Sequence, residues 1–465
     1  MSFAPQKVQS SGGNEQEQRT TARTGFLGRP KSAKRTKLSS LPKSPSGGVK
    51  KPGSYSGAAK IVHNLGETVT TVVMSSDKTL FAAGAMNSKA IVCDATTGQN
   101  ISEFKVNGAI NASAFGSEGA DVRLIVGTFT GMIIIFHIHS NREEYSMKFD
   151  KGEAIMCMST SRNSTRLAVG GKSLNIMLYA LSLTKDDVGI SLLHAFNAQG
   201  TGTLSISLNA TGDLLAAGGE SKIVQLWRIP PAAADIDSLE LQPFKIRTAS
   251  TIHSIALNAE GDALAVGTSD HTELYNVTLD VDPEASQVDT AKTNVFCEPL
   301  MILECPAMQG GVAFSDLTQI AIGGNNLVSV YDMETGGMLV KMERDDRVRC
   351  IDISDDGEVL LIGGFDKAVM LQQIDRGASL YDFGIDATSS CKSVHLSADS
   401  TMLVVGLDSA GQGNVILFDA TTAQVVYAHA ARACVLVPPR VPHRHGCASL
   451  GSACRILVLA STLAA

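Results

Sequence analysis

The chain has 465 residues, of which 44% are hydrophobic and 18% charged, with 39 Lys or Arg against 46 Asp or Glu. That is material for one large domain or two ordinary ones, and no apolar run reaches the length of a membrane helix or the form of a secretory leader, so a soluble intracellular protein is expected. Nine cysteines, an odd number with no Cys-x-x-Cys pair, fit a reducing compartment and argue against a disulfide framework or a standard zinc module.

Charge is unevenly placed. Residues 1–60 hold 12 Lys or Arg and only Glu15 and Glu17, a net of +10, which leaves 27 basic and 44 acidic residues, a net of −17, in the remainder. Residues 1–57 are rich in Ser, Gly, Thr, Pro, Gln and Lys without apolar periodicity, so they are expected to be a disordered basic tail. Such a tail suits weak contact with acidic partners, nucleic acid or other anionic surfaces. Lys34-Arg35-Thr36-Lys37 fits the short basic pattern of nuclear import, which adds the nucleus to an expected cytoplasmic location. Ser44-Pro45 fits a proline-directed phosphorylation site.

From residue 58 to 430 one pattern recurs eight times. A small apolar triplet runs into glycine as Phe81-Ala-Ala-Gly84, Leu124-Ile-Val-Gly127, Leu167-Ala-Val-Gly170, Leu215-Ala-Ala-Gly218, Leu264-Ala-Val-Gly267, Ile320-Ala-Ile-Gly323, Leu360-Leu-Ile-Gly363 and Leu403-Val-Val-Gly406. The glycines are 43, 43, 48, 49, 56, 40 and 43 residues apart. In six copies a Ser or Asn stands nine positions earlier, namely Ser75, Ser161, Asn209, Asn258, Ser354 and Ser397, each opening a turn. Within the seventh unit, residues 348–353 alternate as an inner strand, 359–363 are a buried apolar run, and 368–374 and 379–383 supply a third and a fourth strand. Four short antiparallel strands per unit, at this period, predict an all-β fold: a β-propeller of four-stranded blades. Enlarging Ala216 or Ala265 to Phe should overpack the stack and cost roughly 1–3 kcal/mol.

The units resemble WD40 repeats. The family's aromatic at the end of the third strand matches Phe136, Tyr179, Trp227, Tyr275, Tyr331 and Phe418, and the following Asp survives as Asp94, Asp332 and Asp419. The family's turn Asp matches Asp270 and Asp366 and is replaced by Asn87, Thr130 and Asn326. No Gly-His pair opens a repeat. The resemblance covers residues 60–429 and implies the propeller fold with a degenerate hydrogen-bond network, leaving individual blades soft.

Chemistry-bearing motifs are few. Gly170-Gly-Lys-Ser173 ends like a phosphate-binding loop, but that loop's first glycine would fall at Arg166 and a strand follows, so it reads as a turn. His137 and His139 share one side of a strand at metal-ligand spacing without a third ligand nearby in sequence. Cys93, Cys157 and Cys350 read as core residues. The matches to Asn-x-Ser/Thr at Asn111, Asn163, Asn209 and Asn276 lack a secretory context. No catalytic residue, metal site or cofactor is expected.

Two insertions lengthen the fourth and fifth units, residues 230–243 and 280–299, the second carrying Asp280, Asp282, Glu284 and Asp289. The link Glu343-Arg-Asp-Asp-Arg-Val-Arg349 joins an outer strand to the next inner strand at the rim of one face. Arg344, Asp345, Asp346, Arg347 and Arg349 are therefore the candidate partner-binding residues. From residue 421 onward there is no Asp, Glu or Lys, and residues 431–465, with Cys434, His443, His445, Cys447 and Cys454, read as an irregular segment from a wrongly assigned exon.

Ring closure is ambiguous in the sequence. Residues 60–65 read as the outer strand of a blade whose other strands come from the far end of the chain, yet 424–429 claim the same place. A single eight-bladed ring in which one segment wins is expected, with a seven-bladed ring plus one extra blade as the alternative. The functional expectation is a non-catalytic protein-protein interaction scaffold or adaptor. The alternative is the regulatory propeller of a longer enzyme, or a propeller enzyme with its site in the central channel.

Overall fold

The computed structural model describes residues 62–118, 121–184, 187–198, 202–230, 241–279, 295–303, 311–315, 318–366, 368–375, 378–384, 389–397, 400–409, 412–420 and 424–427. All of them belong to the second of two units, residues 48–465. The tail with Lys34 to Lys37 and Ser44, the insertion acids Asp280, Asp282, Glu284 and Asp289, and residues 431–465 lie outside the described residues.

Alternating and β-branched residues dictate strands, and the strands form eight antiparallel sheets, seven of them with four strands in simple sequence order. Blade 7 comprises Val348–Ile353, Val359–Gly364, Ala368–Gln373 and Ala378–Gly384, each within a residue or two of the sequence expectation. Second strands such as Leu80–Ala85, Leu214–Gly219 and Val359–Gly364 are buried at every position, because neighbouring blades cover both their faces. Each inner strand packs on the next, and the inner strand of blade 8, Ser389–Leu396, meets that of blade 1, Val69–Met74. The ring thus has eight blades.

The repeated glycine marks the closest approach between blades. A Cβ built on Gly218 would stand 2.8 Å from Ile255 of the next inner strand, one on Gly406 would stand 2.7 Å from Val72, and Gly84, Gly170, Gly323 and Gly363 meet their neighbours in the same way. The Ser or Asn nine residues earlier caps the hairpin from inside. Ser75, Ser161, Ser354 and Ser397 accept the backbone N–H of Leu80, Arg166, Val359 and Met402 through Oγ, and Asn209 and Asn258 accept those of Leu214 and Ala263 through Oδ1. The sixth unit lacks the nine-residue spacing, yet Ser315 accepts from Gln319 in the same role.

In seven of the eight blades the second residue or so of the inner strand is a one-residue bulge, at Thr70, Asn111, Met156, Leu204, His253, Arg349 and Lys392. Bulges re-aim side chains and tighten local twist, here at one mouth of the ring. In most blades polar inner-strand side chains then tie the strand to the backbone of a neighbouring inner strand. Asn111 donates to Ile155 O, Thr160 to Phe115 O, Ser159 accepts from Leu208 N, Ser205 and Ser207 accept from Ile255 N and Leu257 N, and Asp352 accepts from Leu396 N.

Ring closure corrects the expectation that one terminal segment wins. Both hold the outer edge of Gln412–Asp419, end to end. Gln424–Tyr427 pairs with residues 417–419, and Val62–Asn64 continues along 414–416. Tyr427 faces Leu417 and Val62 faces Ile416, so the two pieces occupy successive register positions. The composite matches the outer strand of blade 1, Asn100–Lys105, in its bulge and register. Leu65, buried just beyond, donates its N–H to Gly413 O.

The second insertion is also shorter than the sequence indicated. Val295–Leu303 is the outer strand of blade 5, and Pro299 is part of it, paired with Tyr275.

Candidate interaction face

Four antiparallel strands per blade put the links between blades and the second-to-third-strand turns on one face, and the remaining turns on the other. Residues 343–349 belong to the first face.

On the first face the charged link divides into residues with different jobs. Arg344 does not present its charge to a partner: its Nε donates to Asp366 Oδ2 at 2.6 Å, with the two side chains 6% and 4% exposed. Its Nη1 lies 3.2 Å from Met370 Sδ. An arginine here meets the aspartate at the family's turn-Asp position, and Asp366 Oδ1 has no further hydrogen-bond partner among the described residues. Similar stitches replace the missing network elsewhere, as where Thr130 Oγ1 donates to Asn107 O and Lys222 Nζ to Ala249 O.

Arg347 and Arg349 behave differently. The Arg347 guanidinium lies 5.4 Å from the centroid of Phe365 and that of Arg349 lies 5.8 Å from it, while Phe365 N donates to Arg347 O at 2.9 Å. Arg347 is exposed, and Arg349 and Phe365 are half-buried. Neither guanidinium has a carboxylate partner among the described residues. A ring face holds a cation in place by its quadrupole, for about 0.5–1 kcal/mol at an exposed site, without neutralising it. Asp345 and Asp346 are exposed beside them, and Asp346 Oδ1 accepts the Arg347 N–H at 2.7 Å. Sequence reasoning missed Phe365; its signal is the first position of a second-to-third-strand turn, where other blades carry Met86 and Phe129.

The remaining motifs resolve into structure. Ser173 Oγ donates to Asp150 and accepts from Asn175 N, which makes Gly170-Gly-Lys-Ser173 a blade turn. His137 Nδ1 accepts from Ser140 N, its ring lies 6.2 Å from that of His139, and no cluster of three metal-ligating side chains occurs among the described residues. Burial pushes the Cys93 thiol up, that of Cys157 to about 12, and that of Cys391 well above its ordinary range, so these are neutral packing groups.

One cluster imitates catalytic machinery. Ser393 Oγ stands 3.4 Å from His395 Nε2, and His395 Nδ1 stands 3.6 Å from Asp352 Oδ2. However, Nε2 lies 2.9 Å from Val72 O, a contact that only an N–H satisfies, and Ser393 Oγ donates to the same carbonyl. A nitrogen already carrying its proton toward a carbonyl cannot accept one from serine. The cluster fastens blades 7, 8 and 1 together.

No family model matches the chain. SL1-17, a WD repeat-containing protein of Schistosoma mansoni, is 25% identical over 228 residues, 48% of this chain and 68% of that protein. Among solved structures, Sqt1 of Chaetomium thermophilum bound to the N-terminus of ribosomal protein L10 has a TM-score of 0.63 at 15% identity, covering 78% of this chain and all of that one. The computationally designed Ika8 protein has a TM-score of 0.57 at 15% identity, covering 77% and 99%. The chain is an eight-bladed β-propeller, similar in fold to these proteins. Its third-strand aromatics Phe136, Tyr179, Trp227 and Tyr275 are buried, and Asp94 and Asp332 cap the following turns by accepting from Thr97 and Thr335. No helix among the described residues is long and apolar enough to cross a membrane.

Proposed function

We propose that this propeller is a non-catalytic interaction scaffold that engages protein partners through the face carrying Arg347, Arg349 and Phe365. The observation that carries the reading is two guanidiniums without carboxylate partners among the described residues, fixed on one half-buried phenyl ring at the mouth of a rigid ring. Pre-organised arginine and aromatic groups are the residue types that dominate protein interfaces. The Sqt1 neighbour, solved with a ribosomal protein's N-terminus, supports protein ligands for this fold. The reading includes action in the cytoplasm, with the basic run at residues 34–37 giving access to the nucleus.

The test is affinity purification of the tagged chain beside its Arg347→Glu/Arg349→Glu variant. Recovery of at least one partner should fall while thermal unfolding stays within about 0.5 kcal/mol of the parent, as for exposed positions. Unaltered recovery would move the interface elsewhere, most directly to the acidic insertion that follows residue 279.

A further inference from the structure

The same face repeats the cation-on-ring arrangement on another side of the mouth. Lys172 Nζ lies 5.0 Å from the centroid of Phe129, which is 50% exposed, and Lys172 has no carboxylate partner among the described residues. Phe129 comes from the second-to-third-strand turn of blade 2 and Lys172 from that of blade 3. The neighbouring turns add Met86 of blade 1, 52% exposed, and Leu174 of blade 3, 59% exposed. Large apolar side chains are therefore exposed on the turns of three consecutive blades, and Phe365 faces them from blade 7 with blade 8 between.

We propose that these two cation-ring pairs are the halves of one bipartite site for a peptide segment of a protein partner, in which Asp or Glu residues adjoin Phe or Leu at both ends of the segment. This rests on the reading of the face as a protein-binding surface and names its ligand. Each half offers a cation whose charge the ring leaves available, so it takes a carboxylate, and an exposed ring edge beside it takes an apolar side chain. Asp345 and Asp346 beside Arg347 disfavour a dense run of acids and select isolated carboxylates flanked by apolar groups. Blades 7 and 2 are separated by blades 8 and 1, so a ligand reaching both halves crosses the mouth as an extended chain. The net charge of −17 beyond residue 60 repels a polyanion at long range, which favours a peptide over a nucleic acid.

The test uses the full chain and synthetic peptides carrying two Asp-Phe-Glu clusters joined by Gly-Ser spacers of graded length, read by fluorescence anisotropy. Affinity should pass through a maximum with spacer length and there exceed that of a single cluster by on the order of tenfold or more, because linked clusters bind at high effective concentration only when the spacer matches the span. At that spacer, Lys172→Glu and Arg347→Glu/Arg349→Glu should each reduce binding to the single-cluster level. Lys-Phe-Lys clusters should not bind. Loss with the arginine variant but none with Lys172→Glu, and no maximum, would overturn the bipartite site and leave the scaffold face standing. Indifference to both variants would overturn the scaffold face itself, and tighter binding of a single-stranded oligonucleotide than of any peptide would overturn the choice of ligand.

Discussion

The seam between blades 8 and 1 and the sector around blade 6 are held in contrasting ways. At the seam the chain is interrupted within the outer strand of blade 8, between Tyr427 and Val62, and stitching there is dense. His395 and Ser393 reach Val72 O, Lys392 pairs with Asp408 at 3.1 Å, and Thr68 donates to the same carboxylate. Around blade 6 the chain is continuous, but the inner strand Val312–Phe314 has three residues and no bulge. Among the described residues, no side chain ties it to the inner-strand backbones of blades 5 or 7. On the outer wall there, a cavity of about 370 Å³ opens between blades 5 and 6, lined by Met301, Ile302, Leu327, Tyr331 and Lys341. Around blade 6 the described side-chain fastening is sparse; at the seam, side chains and a strand shared by two distant segments of the chain hold the ring.

The largest effect expected comes from cutting the seam. Deleting residues 1–66 removes the Val62–Asn64 ladder, the Leu65 N–H bond and burial of the Leu65 side chain, and should cost about 3–5 kcal/mol in denaturant unfolding. The remaining half-strand, Gln424–Tyr427, keeps the ring from opening fully. Hydrogen exchange should rank blade 6 as the first region to open in the parent and the seam as the first in the deletion. An unchanged unfolding midpoint would refute the clasp.

A smaller loss follows from removing one hairpin cap in a well-stitched blade. Ser354→Ala leaves the buried N–H of Val359 without its acceptor and should cost about 1–3 kcal/mol. A loss below about 0.5 kcal/mol would show that water replaces the hydroxyl. His395→Ala, which removes one fastener and leaves Ser393 on Val72 O, should cost about 1 kcal/mol. It should also raise exchange at the seam while leaving blade 6 untouched; equal change in both would erase the contrast between the two regions.

Much of this fold is legible in the sequence because its steric demands recur there. The glycine ending each triplet is required wherever one blade touches the next, and the Ser or Asn nine residues earlier is required wherever a hairpin N–H is buried, so both repeat with the blade. The candidate site is less legible. Arg344 looks like its neighbours Arg347 and Arg349, because nothing local distinguishes a guanidinium folded onto Asp366, twenty-two positions away, from one left on the surface. The Lys172-Phe129 pair joins turns of successive blades, a contact that exists only once those two blades pack together. Degenerate network positions mislead in the other direction, since Thr130 and Lys222 secure their blades with bonds that the family pattern does not encode.

The smallest effect expected is also the sharpest test of the seam. By sequence, residues 424–429 and 60–65 are rival outer strands, and each pattern is sound by itself, because each piece is half of the same strand. Since Tyr427 and Val62 take successive register positions on Gln412–Asp419, joining Tyr427 directly to Val62 should give a continuous outer strand like that of blade 1. The matching cut belongs in the long connection between Thr272–Leu279 and Val295–Leu303, where a break interrupts no described strand. Such a permuted chain, lacking residues 1–61 and 428–465, should unfold within about 0.5 kcal/mol of the parent, the range usual for changes that leave buried contacts intact. A much less stable permutant, with the cut alone shown to be harmless, would mean that the two half-strands are not in line and that the ring closes by some other contact.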